Sequence, residues 1–215
     1  MELRNKKMVF LGDSITEGVG VKDAKNIYWK RLEQDGCQVF GYGIGGTRIA
    51  AQIKPSREIW DKYFATRVPE MEENADVVVV FGGTNDYGHG DAAMGTMSDR
   101  TENTFYGAVH QLVEMLKEKY SAATIVLLTP LHRLAEERVY NELGIRNVGT
   151  LKDYVEAIRE VGAYHGVSVL DTYEKSGIYT DDAAFREQYI PDGLHPNDAG
   201  HEFLYTCLKA HLESL

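Results

Sequence analysis

The chain is 215 residues long, which is enough for one sizeable hydrophobic core and too short for two comfortable domains. Hydrophobic residues make up 43% of the sequence and charged residues 26%, as in an ordinary soluble globular protein. The formal net charge of -10 disfavours nucleic acids and anionic membrane surfaces as partners, because both are polyanions.

The cysteines and the N-terminal segment narrow the class of protein further. Cys37 and Cys207 lie far apart and form no Cys-x-x-Cys pair, so the sequence indicates neither a disulfide scaffold nor a thiolate zinc site. The apolar run near the start covers only residues 8–11, which is too short for a signal-peptide core, and no long apolar run follows. We therefore expect a cytoplasmic protein without a membrane span, and association into a homo-oligomer stays open.

Five short apolar runs predict β-strands. They cover residues 8–11, 39–40, 77–81, 124–128 and 167–170. Continuous apolar strands of this kind are buried on both faces, as in a parallel sheet that is covered by helices.

Four longer stretches place apolar residues three and four positions apart, which predicts amphipathic helices. They cover residues 26–34, 105–120, 151–165 and 197–212. The alternation of strands and helices predicts one doubly wound α/β domain over residues 1–215, with a central five-stranded parallel sheet.

The polar and glycine-rich segments of the chain follow the predicted strands. Residues 12–14, 43–46 and 82–86 come directly after the first three strands, and residues 192–195 lie between the fifth strand and the last helix. In such sheets, ligands bind beyond the carboxyl ends of the strands. We therefore expect these four segments to converge at one edge of the sheet.

Ser14, Asp192 and His195 have the chemistry of a catalytic triad. The Asp192 carboxylate can hold the imidazole of His195 if the backbone turns at Gly193, and Pro196 restricts His195 to extended geometry. The other ring nitrogen is then free to take a proton from the Ser14 hydroxyl, which predicts a hydrolase. The alternative for Ser14 is a helix N-cap, because serine after a strand commonly caps a helix.

Hydrogen-bond donors for an oxyanion are also predicted. The start of the helix after the first strand would place the Ser14 N–H in a region of positive potential. Gly46 N–H and the side-chain amide of Asn85, at the end of the third strand, could point to the same oxyanion. The alternative for Asn85 is a turn residue.

Gly41, Gly43 and Gly46 match the Gly-x-Gly-x-x-Gly fingerprint of dinucleotide sites. Two observations count against that function. The segment follows the second strand and not the first, and residues 59–63, about twenty residues further on, have a helical pattern without an acidic residue at a strand end. We therefore favour a loop whose backbone approaches a reacting group.

The ordered motifs resemble the four blocks of the SGNH hydrolases, also called the GDSL esterase/lipase family. The motifs are Gly12-Asp13-Ser14, Gly46, Gly83-Thr84-Asn85-Asp86 and Asp192-x-x-His195, and they span nearly the whole chain. The resemblance implies a flavodoxin-like three-layer αβα sandwich. It also implies Ser14 as the nucleophile, His195 as the base and Asp192 as its orienter. The implied oxyanion hole consists of Ser14 N–H, Gly46 N–H and the Asn85 side chain.

The chain departs from the family pattern at Gly41, because the second block usually begins with Asn. This position is not catalytic in the family, so the departure concerns the packing of the loop more than the chemistry.

The predicted reaction is hydrolysis of a carboxylic ester of a small substrate through an acyl-enzyme, without a metal or an organic cofactor. Family members of this size often cleave acetyl or other short acyl groups from sugars, and no long hydrophobic lid is visible. We therefore expect a short acyl group on a carbohydrate or a related alcohol. Lysophospholipase or thioesterase activity on longer chains and acyl transfer are alternatives, and non-catalytic ligand binding or dinucleotide binding is a remote one.

Several residues near the motifs are candidate substrate contacts. They are Asp13, Arg48, Tyr87, His89 and His132. An aromatic-rich loop is a further candidate, with Tyr173, Tyr179, Phe185 and Tyr189. Aromatic faces suit sugar rings, but they suit ordinary packing at least as well.

Overall fold

An all-parallel five-stranded sheet forms the centre of the computed structural model, which describes residues 1–54 and 59–215. Its strands are β1 (Lys7–Gly12), β2 (Gln38–Gly43), β3 (Val77–Phe81), β4 (Thr124–Leu128) and β5 (Ser168–Leu170). The spatial order β2-β1-β3-β4-β5 is the flavodoxin-like order of a doubly wound fold. The carboxyl ends of the strands therefore meet at one edge, where Gly12 of β1 lies between Gly43 of β2 and Phe81 of β3.

Helices connect the strands on both faces of the sheet. The α-helices of the described residues are α1 (Ser14–Glu17), α2 (Phe64–Arg67), α3 (Thr84–His89), α4 (Phe105–Lys119), α5 (Leu151–His165), α6 (Thr172–Lys175), α7 (Ala183–Tyr189) and α8 (Asp198–Ser214). Short 3-10 helices cover Ala24–Asn26, Lys30–Asp35 and Val68–Glu70. Within residues 1–54 and 59–215, none of the helices has the length and apolar character that a membrane crossing requires.

Two apolar cores fill the two faces of the sheet. Val78 and Val80 of β3 pack into the core that α4 and α5 cover, whereas Val77 and Val79 pack into the core beneath α8. This alternation follows from the geometry of a strand, in which successive side chains point to opposite faces. The result is the predicted three-layer αβα sandwich.

The helix predicted over residues 26–34 is wrong. The chain instead forms the two 3-10 helices Ala24–Asn26 and Lys30–Asp35 on either side of Tyr28 and Trp29, which are both buried. Tyr28 N–H donates to Nδ1 of His201 over 3.1 Å, so it is not available for the α-helical hydrogen bond. The tertiary contact therefore overrides the helical pattern of the sequence.

The glycines of the dinucleotide-like fingerprint serve packing. Gly41 and Gly43 lie within β2 and not in a phosphate-binding turn. A Cβ at Gly41 would lie 2.1 Å from the Trp29 ring, and a Cβ at Gly43 would lie 2.1 Å from the backbone nitrogen of Glu17 in α1. The departure from the family pattern at Gly41 therefore makes room for Trp29.

Candidate active site

The structure brings the three residues of the predicted triad into one hydrogen-bonded row. Ser14 is the first residue of α1, directly beyond the carboxyl end of β1. Its Oγ lies 2.9 Å from Nε2 of His195, to which the hydroxyl can donate. Nδ1–H of His195 donates in turn to Oδ2 of Asp192 over 2.6 Å. The imidazole is thus held by a carboxylate on one side and faces a hydroxyl on the other.

A tight turn fixes the position of the Asp192 carboxylate. Its Oδ1 accepts the backbone N–H groups of Leu194 and His195, over 2.9 Å and 2.7 Å. Burial raises the pKa of Asp192, but the hydrogen bonds from His195 and Leu194 outweigh it, so the pKa lies below its ordinary value. The turn requires Gly193, which has a φ of 75° and whose Cβ would lie 2.3 Å from the side chain of Leu134.

The three predicted oxyanion donors differ in their present partners. Within residues 1–54 and 59–215, the backbone amides of Ser14 and Gly46 donate to no protein acceptor. Asn85 lies in the first turn of α3, and its Nδ2 donates to the carbonyl of Thr47 over 3.0 Å. This bond fixes which way the amide points and leaves its second N–H for another acceptor.

Two carboxylates outside the triad anchor the loop that carries Gly46. Oε2 of Glu17 accepts the N–H of Gly45 over 2.8 Å, which ties the loop to the helix of the nucleophile. The buried carboxylate of Asp86 accepts the amides of residues 49 and 50 over 3.0 Å and 2.8 Å. Burial raises the pKa of Asp86 to about 6. Sequence reasoning missed both roles, although both residues lie within or beside the glycine-rich motifs.

A buried guanidinium holds the strand ends beneath the site. Arg67 donates to the carbonyl oxygens of Gly12 and Tyr42 and to Oγ1 of Thr47, over 3.0, 2.8 and 3.1 Å. Burial lowers the pKa of Arg67 to about 10, which leaves it charged at neutral pH. No sequence motif indicates this residue, because its partners lie at the end of β1, in β2 and in the loop after β2, all distant from it in sequence.

Asp13 caps α1 from inside the protein. Its side chain accepts the N–H of Ile15 over 3.0 Å, and the residue is 1% exposed. Burial raises the pKa of Asp13 to about 6, against the lowering effect of this hydrogen bond and of nearby His195. The structure thus places Asp13 behind the nucleophile and not on a surface that a substrate can reach.

Three other candidate substrate contacts are buried as well. Arg48, Tyr87 and His89 are 1%, 0% and 4% exposed. Arg48 donates a hydrogen bond to Nδ1 of His89, and the hydroxyl of Tyr87 donates one to the carbonyl oxygen of Ala135. These side chains support the loops from below, so the expectation of direct substrate contact is corrected for them. His132 is the candidate that keeps an exposed part, with 19% of its side chain accessible.

Comparisons with known proteins identify the family of the chain. The sequence model of the GDSL-like Lipase/Acylhydrolase family matches residues 10–203. The chain belongs to this family. The protein is therefore an enzyme of the ester-hydrolysing serine hydrolase type, and the family resemblance of the four motifs is confirmed.

Solved structures share the fold of this GDSL-like hydrolase over its whole length. One structure with 30% identity covers 100% of this chain and 99% of its own, with a TM-score of 0.86. A protein from Lactobacillus plantarum has 32% identity and a TM-score of 0.82, and the match covers 99% of this chain and 98% of that protein. The lipase/acylhydrolase from Enterococcus faecalis shares the fold at 22% identity and a TM-score of 0.63, and the match covers 97% of this chain and 96% of that protein. No curated protein matches the sequence significantly.

Proposed function

We propose that the protein is a serine esterase that removes a short, acetyl-type acyl group from a carbohydrate or a related alcohol through an acyl-enzyme. One observation carries the proposal. The Ser14 hydroxyl lies 2.9 Å from an imidazole nitrogen of His195, while Asp192 holds the other nitrogen at 2.6 Å. A nucleophile, a base and an orienter within hydrogen-bond reach of one another are what acyl transfer by a serine requires.

The reaction proceeds in two halves. In the first, Oγ of Ser14 attacks the ester carbonyl carbon while Nε2 of His195 takes the hydroxyl proton, and Asp192 stabilises the imidazolium. The tetrahedral intermediate then collapses, and the imidazolium gives its proton to the departing alcohol oxygen. In the second half, His195 deprotonates a water that attacks the acyl-enzyme, and the proton returns to Ser14 as the acid leaves.

The negative charge of each tetrahedral intermediate needs donors that are already in place. We assign this role to the N–H groups of Ser14 and Gly46 and to the second N–H of the Asn85 amide. The free backbone amides and the fixed orientation of Asn85 support the assignment. One such donor is worth about 10²- to 10³-fold in kcat in known hydrolases.

Bulky side chains beside the triad support a short acyl group. Leu134 packs against Gly193 in the turn of the triad, and the Trp60 ring packs against Gly46 on the oxyanion side. A Cβ at Gly46 would lie 2.1 Å from the Trp60 indole, so this side chain sits directly over the loop. Large groups against the triad turn and against the oxyanion loop favour an acetyl group over a long chain.

The test is turnover of 4-nitrophenyl acetate by Ser14→Ala and His195→Ala. We expect both to lose at least about 10³-fold in kcat, because the members of a triad act as a unit. Ser121→Ala and His165→Ala, which change the same residue types away from the site, should keep wild-type kcat. Near-wild-type turnover in either triad variant would refute the assignment, and peak activity on palmitoyl and not on acetyl esters would refute the short acyl group.

A further inference from the structure

A second carboxylate-held imidazole lies at the same edge of the sheet as the triad. His132 follows β4 and Tyr173 follows β5, and their ring centroids are 3.7 Å apart at an angle of 33°. The ring of Tyr179 lies on the cluster as well, 5.3 Å from that of His132. Leu134, two residues after His132, donates its N–H to the carbonyl of Gly193 over 2.9 Å. The cluster therefore adjoins the turn that carries the triad.

Glu136 fixes the orientation of the His132 ring. Its two carboxylate oxygens lie 3.0 Å and 3.1 Å from Nδ1 of His132, and it also accepts the hydroxyl of Tyr173 over 3.1 Å. Burial raises the pKa of Glu136, but the hydrogen bonds from His132 and Tyr173 lower it by more. The pKa therefore lies below its ordinary value, and the group is a carboxylate at neutral pH. The tautomer in which Nδ1–H donates to this carboxylate leaves a lone pair on Nε2.

The free nitrogen of His132 is available to a ligand. Among the residues that the structure describes, Nε2 has no hydrogen-bond partner, and it is not enclosed in the protein. Half of Tyr179 is exposed beside it, which offers an aromatic face next to a hydrogen-bond acceptor. This combination suits a ring with hydroxyl groups on its rim and C–H groups on its face.

The charge around the cluster selects against an anionic ligand. Burial and then the negative charges of Glu136, Glu174 and Glu137 raise the pKa of the Tyr173 hydroxyl. The whole chain carries a formal charge of -10. A phosphate-bearing leaving group, as in a lysophospholipid, would be repelled here, whereas a neutral polyol would not.

We propose that His132 and Tyr179 form a subsite for the neutral, polyhydroxylated leaving group of the ester, a carbohydrate. Nε2 of His132 accepts a hydrogen bond from a sugar hydroxyl, and the Tyr179 ring packs against the C–H face of the sugar ring. Glu136 acts as a positioning residue for the imidazole. The inference rests on the proposed esterase function and names the alcohol part of its substrate.

The test compares two acetate esters. One is a mono-O-acetylated methyl glycoside, and the other is ethyl acetate, whose leaving group has no further hydroxyl to bind. We expect His132→Phe and Tyr179→Ala to lower kcat/KM for the sugar ester about three- to tenfold each, the size of one neutral hydrogen bond or ring contact, and to leave ethyl acetate unchanged. His132→Gln, which can place an acceptor near the position of Nε2, should recover part of the loss. His165→Phe is the matched control and should change neither substrate.

Equal losses on both esters, or no loss on either, would overturn the subsite. Acetylcholine serves as a third acetate ester, and a selective loss on it instead of the sugar ester would also overturn the subsite, because it would indicate a cationic leaving group. Tyr179 is half-exposed, so Tyr179→Ala gives a folded variant even if His132→Phe does not. Retained turnover in Ser14→Ala would instead refute the proposed function, so the two failures are distinguishable.

Discussion

Asn85 has two hydrogen-bonding tasks, which two different measurements on one variant separate. One N–H of its amide holds the buried carbonyl of Thr47 over 3.0 Å, and we assign the other to the oxyanion. Asn85→Ala removes both. A structural task alone predicts a loss of stability with an unchanged kcat, whereas an oxyanion donor predicts a loss of kcat in the folded variant.

The two expected losses have different sizes. Leaving the Thr47 carbonyl without its donor costs about 1–3 kcal/mol in the free energy of unfolding. Losing one oxyanion donor costs about 2.7–4 kcal/mol in transition-state stabilisation, which is about 10²- to 10³-fold in kcat. Urea unfolding measures the first quantity, and steady-state turnover of a short ester by the folded variant measures the second.

Thr84→Ala is the matched control for this experiment. Thr84 precedes Asn85 in α3, and its buried Oγ1 accepts a hydrogen bond from Arg133 over 3.1 Å. We expect Thr84→Ala to lose about 1 kcal/mol of stability and to keep kcat. If folded Asn85→Ala keeps kcat within about threefold of wild type, the amide only holds Thr47 and the oxyanion assignment fails.

Three further substitutions test the surroundings of the nucleophile. Asp192→Asn should lower kcat by about 10⁴-fold at pH 7, because an amide cannot hold the His195 tautomer that faces the serine; a fall below tenfold would contradict this. Asp13→Asn keeps a good helix cap but removes a carboxyl whose pKa burial raises from 3.8 to about 6. The folded wild type binds the extra proton in this range, so its free energy of unfolding falls by about 2 kcal/mol as pH rises from 4 to 7. The free energy of unfolding of the variant should gain that much on wild type over the same range; a difference that does not change with pH in urea titrations would contradict it. Gly193→Ala should lose about 1–3 kcal/mol of stability and part of kcat, because φ is 75° and the new Cβ meets Leu134. Adding Leu134→Ala should recover part of both, and no recovery would show that the contact is unimportant.

The sequence predicts the sheet and the long helices because their signals are local. The apolar runs give all five strands, and the helix predicted over 151–165 has the bounds of α5. β2 extends over Gln38–Gly43, beyond the two apolar residues that indicate it, because its glycines pair with β1. The short helix α3 lacks apolar periodicity, since all of its residues are buried.

The sequence predicts those site residues whose type is fixed by the chemistry. It misses the residues whose role depends only on tertiary contacts. Ser14 and His195 stand in recognisable motifs, and the structure brings them together. Arg67 and Glu17 act through backbone groups that are distant in sequence, so no pattern indicates them. Tyr87 has the residue type of a substrate contact, but burial decides its role. Cytoplasmic location and homo-oligomerisation stay predictions.

Labelling with a fluorophosphonate, followed by mass mapping of the modified residue, tests the central claim most directly. The reagent reacts with a serine only where a base activates the hydroxyl and donors hold the oxyanion. We predict a single adduct on Ser14 in the wild type and none in His195→Ala. An adduct on another residue, or labelling of Ser14 that survives the loss of His195, would contradict the account.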